Sequence, residues 1–208
     1  LAPLGDEHDA EVCIVGAGFA GLATALGLVE RGVQGVVMLE AGRIDVFMTE
    51  TARECDYVLP AATQYEKFEA TFFNFDYPKN VFHLRHPALD PPEGPLPEPE
   101  IHARIVEALG VLDPAVVANV RAAAERSREE FAAAFADATA ADPRLGAAGA
   151  VLLYRTLGPT LPHGAAAAAS LGALTQRCAQ VNPEGVARAG YGGGPDAGNR
   201  LFDAIIDN

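Results

Sequence analysis

The sequence predicts an α/β protein: a Rossmann-like parallel sheet with an added hairpin and an alanine-rich helical C-terminal half. Three observations carry that expectation. An apolar run, a Gly-x-Gly-x-x-Gly turn, a helical repeat and a second apolar run follow one another within the first forty residues. Aromatic residues then cluster between positions 68 and 84, on either side of a Pro-Lys-Asn turn. Beyond residue 100 alanine dominates, with Arg and Glu interspersed. The 208 residues, half of them hydrophobic, suit one ordinary globular domain or two small ones.

Residues 11–15 read Glu-Val-Cys-Ile-Val, a short run typical of a strand buried on both faces. Gly16, Gly18 and Gly21 follow at once, and Leu22, Leu26 and Val29 then recur at helical spacing until Gly32 stops the helix. Val36 to Leu39 is a second strand ending at Glu40, nineteen positions after Gly21. Each residue has a task in a dinucleotide site. Gly16 permits the tight turn, Gly18 lets the backbone approach a pyrophosphate, and Gly21 lets helix and strand pack closely. The helix N-terminus offers N–H groups to the phosphates, and Glu40 can accept both ribose hydroxyls. A bland glycine-rich turn is the alternative for the glycines.

Tyr57-Val-Leu59 reads as a buried strand closed by Pro60, after a short helical stretch ending at Asp56. Together with the strands near 12–15 and 36–40 it is expected to form one parallel sheet, by the right-handed βαβ rule. Phe68 to Phe75 and Val81 to Leu84 are expected as the arms of a hairpin. Five prolines from Pro91 to Pro99 make that segment extended. A helix from Glu100 to Leu109 is stopped by Gly110. Asp113-Pro114 has the form of an N-cap followed by proline at the first helical position. Residues 115–141 read as one or two helices, with Arg121–Glu125 and Arg126–Glu130 four apart on a solvated face. A helix around 165–179, a loop from Gly190 to Gly198 and a last helix from Arg200 to Ile206 complete the chain.

The wording Val-Cys-Ile-Val-Gly-Ala-Gly-Phe-Ala-Gly-Leu-Ala-Thr-Ala, closing on Leu-Glu-Ala-Gly-Arg43, resembles the N-terminus of FAD-dependent oxidoreductases. The resemblance covers residues 9–43 and implies FAD as cofactor. Residues 44–208 resemble something else. Asp-Val-Phe-Met-Thr-Glu-Thr-Ala, then Cys-Asp-Tyr-Val-Leu-Pro-Ala-Ala and Glu66-Lys67, are similar to the third domain of molybdopterin oxidoreductases of the dimethyl sulfoxide reductase type. That likeness implies molybdopterin guanine dinucleotide as a second cofactor. It further implies that Asp45 accepts hydrogen bonds from the guanine edge, that Lys67 contributes to the same nucleotide pocket, and that Glu100 stands where relatives often have an aspartate. The local alternatives are a turn-capping carboxylate for Asp45 and, for Lys67, an ion pair with a neighbour such as Glu66 or Glu69.

Two incomplete segments are therefore expected, 1–43 of the flavin type and 44–208 of the molybdenum type, each reaching a nucleotide end of its cofactor and neither the reactive end. The implied function is that of an oxidoreductase-derived chain, inactive alone and needing missing regions or a further redox subunit for catalysis. The alternative is a non-catalytic nucleotide-binding remnant or fusion product. The start at Leu1 suggests a fragment or a processed end. A formal net charge of −13 argues against nucleic acid as partner, since no broad basic face can form. No apolar run is long enough for a membrane span. Cys13, Cys55 and Cys178 form no C-x-x-C pair and are expected as buried or half-buried thiols. Their odd number, without a secretion signal, fits the cytoplasm. His83, His86 and His102 lack metal-site spacing and are expected in surface or packing roles.

Overall fold

A computed structural model describes residues 11–15, 27–34, 36–39, 42–53, 55, 57–71 and 82–207. The chain divides into two compact units, Leu1–Ala61 and Ala62–Asn208. The change of sequence texture at 43/44 thus falls inside the first unit. The protein is a helix-rich α/β chain.

In the first unit, β1 (Val12–Val15) pairs in parallel with β2 (Val36–Leu39), Val12 opposite Val36 and Val15 opposite Leu39. Between them α1 is helical over residues 27–30. It ends as the glycine rule requires. Gly32 has φ +81°, its N–H donates to the Val29 carbonyl, and the Val33 N–H donates to Leu28. This double closure satisfies the last carbonyls of the helix, and the left-handed position favours glycine.

A second parallel pair follows. β3 (Gly42–Asp45) lies against β4 (Tyr57–Pro60), Gly42 opposite Tyr57 and Asp45 opposite Pro60. The crossover carries α2 (Glu50–Arg53), capped by Thr49, whose Oγ1 accepts the Ala52 N–H at 3.2 Å. Here the structure corrects the expected single Rossmann-like sheet. Among the described residues the pairs β1–β2 and β3–β4 are separate two-stranded sheets. The reason is that Gly-Arg-Ile-Asp takes extended form itself and becomes the partner of β4. Nor is β4 buried: Tyr57 is 71% exposed and Leu59 39%.

In the second unit β5 (Glu69–Thr71) and β6 (His83–Arg85) form the expected antiparallel arms, with Ala70 opposite Leu84. The rest of the expected strand, residues 72–75, lies outside the described residues. Leu84 enters the helical core, whereas His83 on the opposite face is exposed, the alternation a half-buried hairpin needs. The helices are α3 (Glu98–Ala108), α4 (Pro114–Arg126), α5 (Arg128–Ala141), α6 (Pro143–Ala147), α7 (Gly149–Thr156), α8 (Leu171–Val181), α9 (Pro183–Val186) and α10 (Ala197–Ile206). Their main core joins Val120, Phe131, Leu153, Leu157, Phe202 and Ile206.

Local chemistry sets most helix ends. The Asp113 carboxylate accepts the Ala115 N–H at 2.8 Å with Pro114 at the first turn of α4. Asp113→Ala is expected to destabilise the chain by about 0.5–2 kcal/mol and Asp113→Asn by much less; urea denaturation measures both. The long alanine segment breaks at Ser127, whose Oγ accepts the Glu130 N–H at 3.1 Å. Ser127 is thus a plain side-chain N-cap, its own N–H donating to the Ala123 carbonyl and the Glu130 carboxylate pairing with Arg126. The expected helix over 165–179 begins only at Leu171, because Pro162–Ala168 winds as a 3₁₀ segment with His163 and Gly164 in the left-handed region. The glycine loop after Tyr191 is strapped: Arg200 donates from Nε to the Tyr191 carbonyl at 2.7 Å and from Nη2 to Gly193 at 2.8 Å. Cys55 is half-buried, but Cys178 is exposed on α8. His86 packs its ring 4.8 Å from that of Phe68. Among the described residues no helix is long and apolar enough to cross a membrane.

Candidate functional site

Gly16, Gly18, Gly21 and Glu40 lie outside the described residues. What is described is the frame around them. Val15 and Leu39 are register partners at the carboxyl ends of two adjacent parallel strands. Gly16 is the next residue after Val15 and Glu40 the next after Leu39. In open parallel sheets ligands bind beyond those carboxyl ends.

Asp45 ends β3. Its Oδ1 accepts the Phe47 N–H at 3.3 Å and its Oδ2 the Thr49 hydroxyl at 3.5 Å, while its carbonyl accepts the Ala61 N–H at 3.0 Å. Since Thr49 in turn caps α2, Asp45 shapes the turn leading into that helix. This is the capping role that sequence held open beside the guanine role.

Lys67 lies just before β5, in the second unit. Its ammonium pairs with Glu98 and, at 3.3 Å, with Glu69; its side chain is only 11% exposed. Glu66 takes a different part, accepting the Thr63 N–H at 2.8 Å. Lys67 borders a cleft of about 320 Å³ with Phe68, Leu84, Ser170 and Leu171. Two carboxylates beside one ammonium leave that cleft with a negative balance, which opposes a phosphate.

Glu100 is in the first turn of α3, and four donors converge on it. Arg104 Nε reaches Oε1 at 2.8 Å, Arg155 Nη2 reaches Oε1 at 3.3 Å, Arg155 Nη1 reaches Oε2 at 2.6 Å, and the Tyr154 hydroxyl reaches Oε2 at 3.1 Å. A carboxylate has about four acceptor positions. All are taken, so Glu100 has none left for a guanine edge. Burial pushes its pKa up, but the hydrogen bonds from Arg155, Arg104 and Tyr154 outweigh this and hold it below the usual carboxylate range. Burial, together with the negative Glu100, pushes the Tyr154 phenol up to about 12, so it remains a donor at neutral pH. Arg155 also donates to Glu107 at 2.7 and 2.9 Å. Burial lowers its pKa, and the two glutamates raise it by more.

Arg121 corrects another expectation. Instead of pairing with Glu125 it donates twice, at 3.0 and 2.6 Å, to the Arg155 carbonyl in the last turn of α7. That carbonyl is one of the orphans a helix end leaves, and a cation suits it. Arg126 does pair with Glu130, as the four-residue spacing predicts. The resulting network fastens α3, α4 and α7 to one another. Sequence reading missed Tyr154, Arg155 and Arg121 as its members, because their partners lie tens of residues away.

Asp45 belongs to the first unit and Lys67 and Glu100 to the second. Within the second unit the two carry different networks. No protein-family model, curated protein or solved structure matches this chain.

Proposed function

We propose that this is an oxidoreductase-derived nucleotide-binding chain whose first unit takes the adenine-nucleotide end of FAD. The supporting observation is the parallel register of β1 and β2, with Val15 opposite Leu39. It favours a βαβ frame in which the glycine turn and the acid emerge from neighbouring strand ends. In that reading the backbone at Gly16 and Gly18 admits the pyrophosphate, Gly21 lets helix and strand approach, and Glu40 accepts the ribose hydroxyls. FAD, when bound, would supply the hydride and electron chemistry of its flavin ring. This chain's residues bind and orient its nucleotide end.

The molybdopterin guanine dinucleotide reading rests on sequence resemblance, with Asp45 at a strand's carboxyl end as its best-placed residue. Lys67 and Glu100 do not fit the guanine nucleotide, being committed to protein partners. That commitment favours a second reading beside the first: a nucleotide-binding remnant without redox activity of its own. On the oxidoreductase reading, a further redox subunit completes the enzyme.

Titrating the purified full chain with FAD, followed by flavin fluorescence, tests the proposal. The native chain is expected to bind FAD, with ADP competing for the same end. Gly18→Val should abolish binding, and Glu40→Gln should weaken it roughly ten-fold or more, the value of a charge-assisted hydrogen bond. Failure of the native chain to bind either FAD or ADP overturns the reading. Molybdenum analysis after expression with molybdate separates the two versions: bound metal supports the oxidoreductase, and its absence alongside FAD binding supports the remnant.

A further inference from the structure

The second unit contains a cavity that neither resemblance uses. It measures about 370 Å³ and opens between α5, α7, α8 and α10, within the ~300–1,000 Å³ of small-molecule sites. Its apolar wall is formed by Phe131, Phe135, Leu153, Leu157 and Phe202. Gly172 keeps it open: a Cβ there would stand 3.5 Å from Leu157 Cδ2 and 3.7 Å from the Phe202 ring, ordinary contact that would occupy space now empty. Around the mouth are Arg128, Glu129, Gln176, Asp196 and Asn199.

The charges at the mouth are unequal in availability. Arg128 is engaged, donating to Asp203 at 3.1 Å with its guanidinium 5.3 Å from the Phe202 ring centroid. Gln176 donates to Asn199 Oδ1 at 2.6 Å, tying α8 to α10. That close approach depends on Gly198, where a Cβ would fall 2.8 Å from the Gln176 Cα. Glu129 and Asp196 are exposed and have no ion-pair partner among the described residues. The mouth therefore has two carboxylates without an ion-pair partner among the described residues, beside a pocket lined by phenylalanine and leucine side chains.

We propose that this cavity binds an arylalkyl ammonium ion, the ring among the phenylalanines and the ammonium at Glu129 and Asp196. The apolar body gains from burial, and the positive head answers the open carboxylates. The chain's net charge of −13 favours approach of such a cation and disfavours an anion of the same shape. This site is independent of the FAD reading.

Three indole probes, one cationic, one neutral and one anionic, test it by calorimetry on the full chain: tryptamine, indole and indole-3-acetate. Tryptamine is expected to bind about five-fold or more tightly than indole, and indole-3-acetate more weakly than both. Glu129→Gln with Asp196→Asn, both at exposed positions, should bring tryptamine to within about two-fold of indole while indole itself is unchanged. Ala173→Trp, at the exposed mouth, should reduce binding of tryptamine and indole alike by at least about ten-fold. Absence of tryptamine binding to the native chain overturns the proposal. So does equal affinity for all three probes, or a tryptamine preference that survives loss of both carboxylates. FAD binding measured on the same preparation shows whether the first unit stands apart from that outcome.

Discussion

Phe202→Ala is expected to lower the stability of the second unit by about 3–5 kcal/mol, the usual effect of emptying a buried phenylalanine site. Phe202 is 2% exposed and lies on the apolar face of α10, in the main core with Leu157, Leu171 and Ile206. Losing it removes apolar burial and leaves a void beside a cavity that already exists, so the walls have little to collapse onto. Its ring also carries the guanidinium of Arg128, and that support disappears with it. Phe202→Leu keeps most of the volume and should cost less than half as much. Chemical denaturation monitored by circular dichroism measures both. A loss below about 1 kcal/mol for the alanine variant would show that α10 contributes little to this core.

Arg155→Ala is the second large effect, expected at about 2–3 kcal/mol, between an exposed ion pair and a fully buried one. The side chains of Arg155 and Glu100 are 19% and 17% exposed, so solvent screens part of their attraction. The arginine answers Glu100 and Glu107 together, and its removal leaves Glu107 without that partner and Glu100 with Arg104 and Tyr154 alone. The effect depends on pH, and its sign follows from Glu100. A depressed folded pKa means that Glu100 binds protons less readily folded than unfolded. Its contribution is therefore complete above the unfolded value of about 4.3 and is lost as pH falls through the lower folded value. Glu100→Gln should be clearly less stable than the native chain at pH 7, and the gap should narrow as the solution is taken below about pH 4. A gap constant from neutral to strongly acid pH would remove Glu100 from the ion-pair network.

The parts of this fold that were legible in advance are those determined within a few residues. Gly32, Gly110 and Asp113-Pro114 end or begin helices through their own backbone preferences, so their positions could be read directly. Ser127 belongs to the same class, since its cap on the Glu130 N–H is local. The sheet was less legible. Whether Gly-Arg-Ile-Asp pairs with β4 depends on competition among strands, and an extended tetrapeptide has no turn chemistry to announce it. Least legible were the charged residues. Glu100 and Lys67 carry the charge that a nucleotide site requires, and only folding reveals that Arg155, Tyr154 and Glu98 claim them first. A residue's chemistry suggests a ligand; the satisfaction of its hydrogen-bonding capacity decides whether one can be received.

The pairing of β3 with β4 bears on where this polypeptide can be divided. Arg43 and Ile44 are consecutive members of one strand, held opposite Val58 and Leu59. The change of sequence texture at 43/44 therefore runs through the middle of a hydrogen-bonded ladder. Neither side can be lifted out at that point without breaking a strand. The joint that matters to folding lies some eighteen residues downstream, at Ala61 and Ala62.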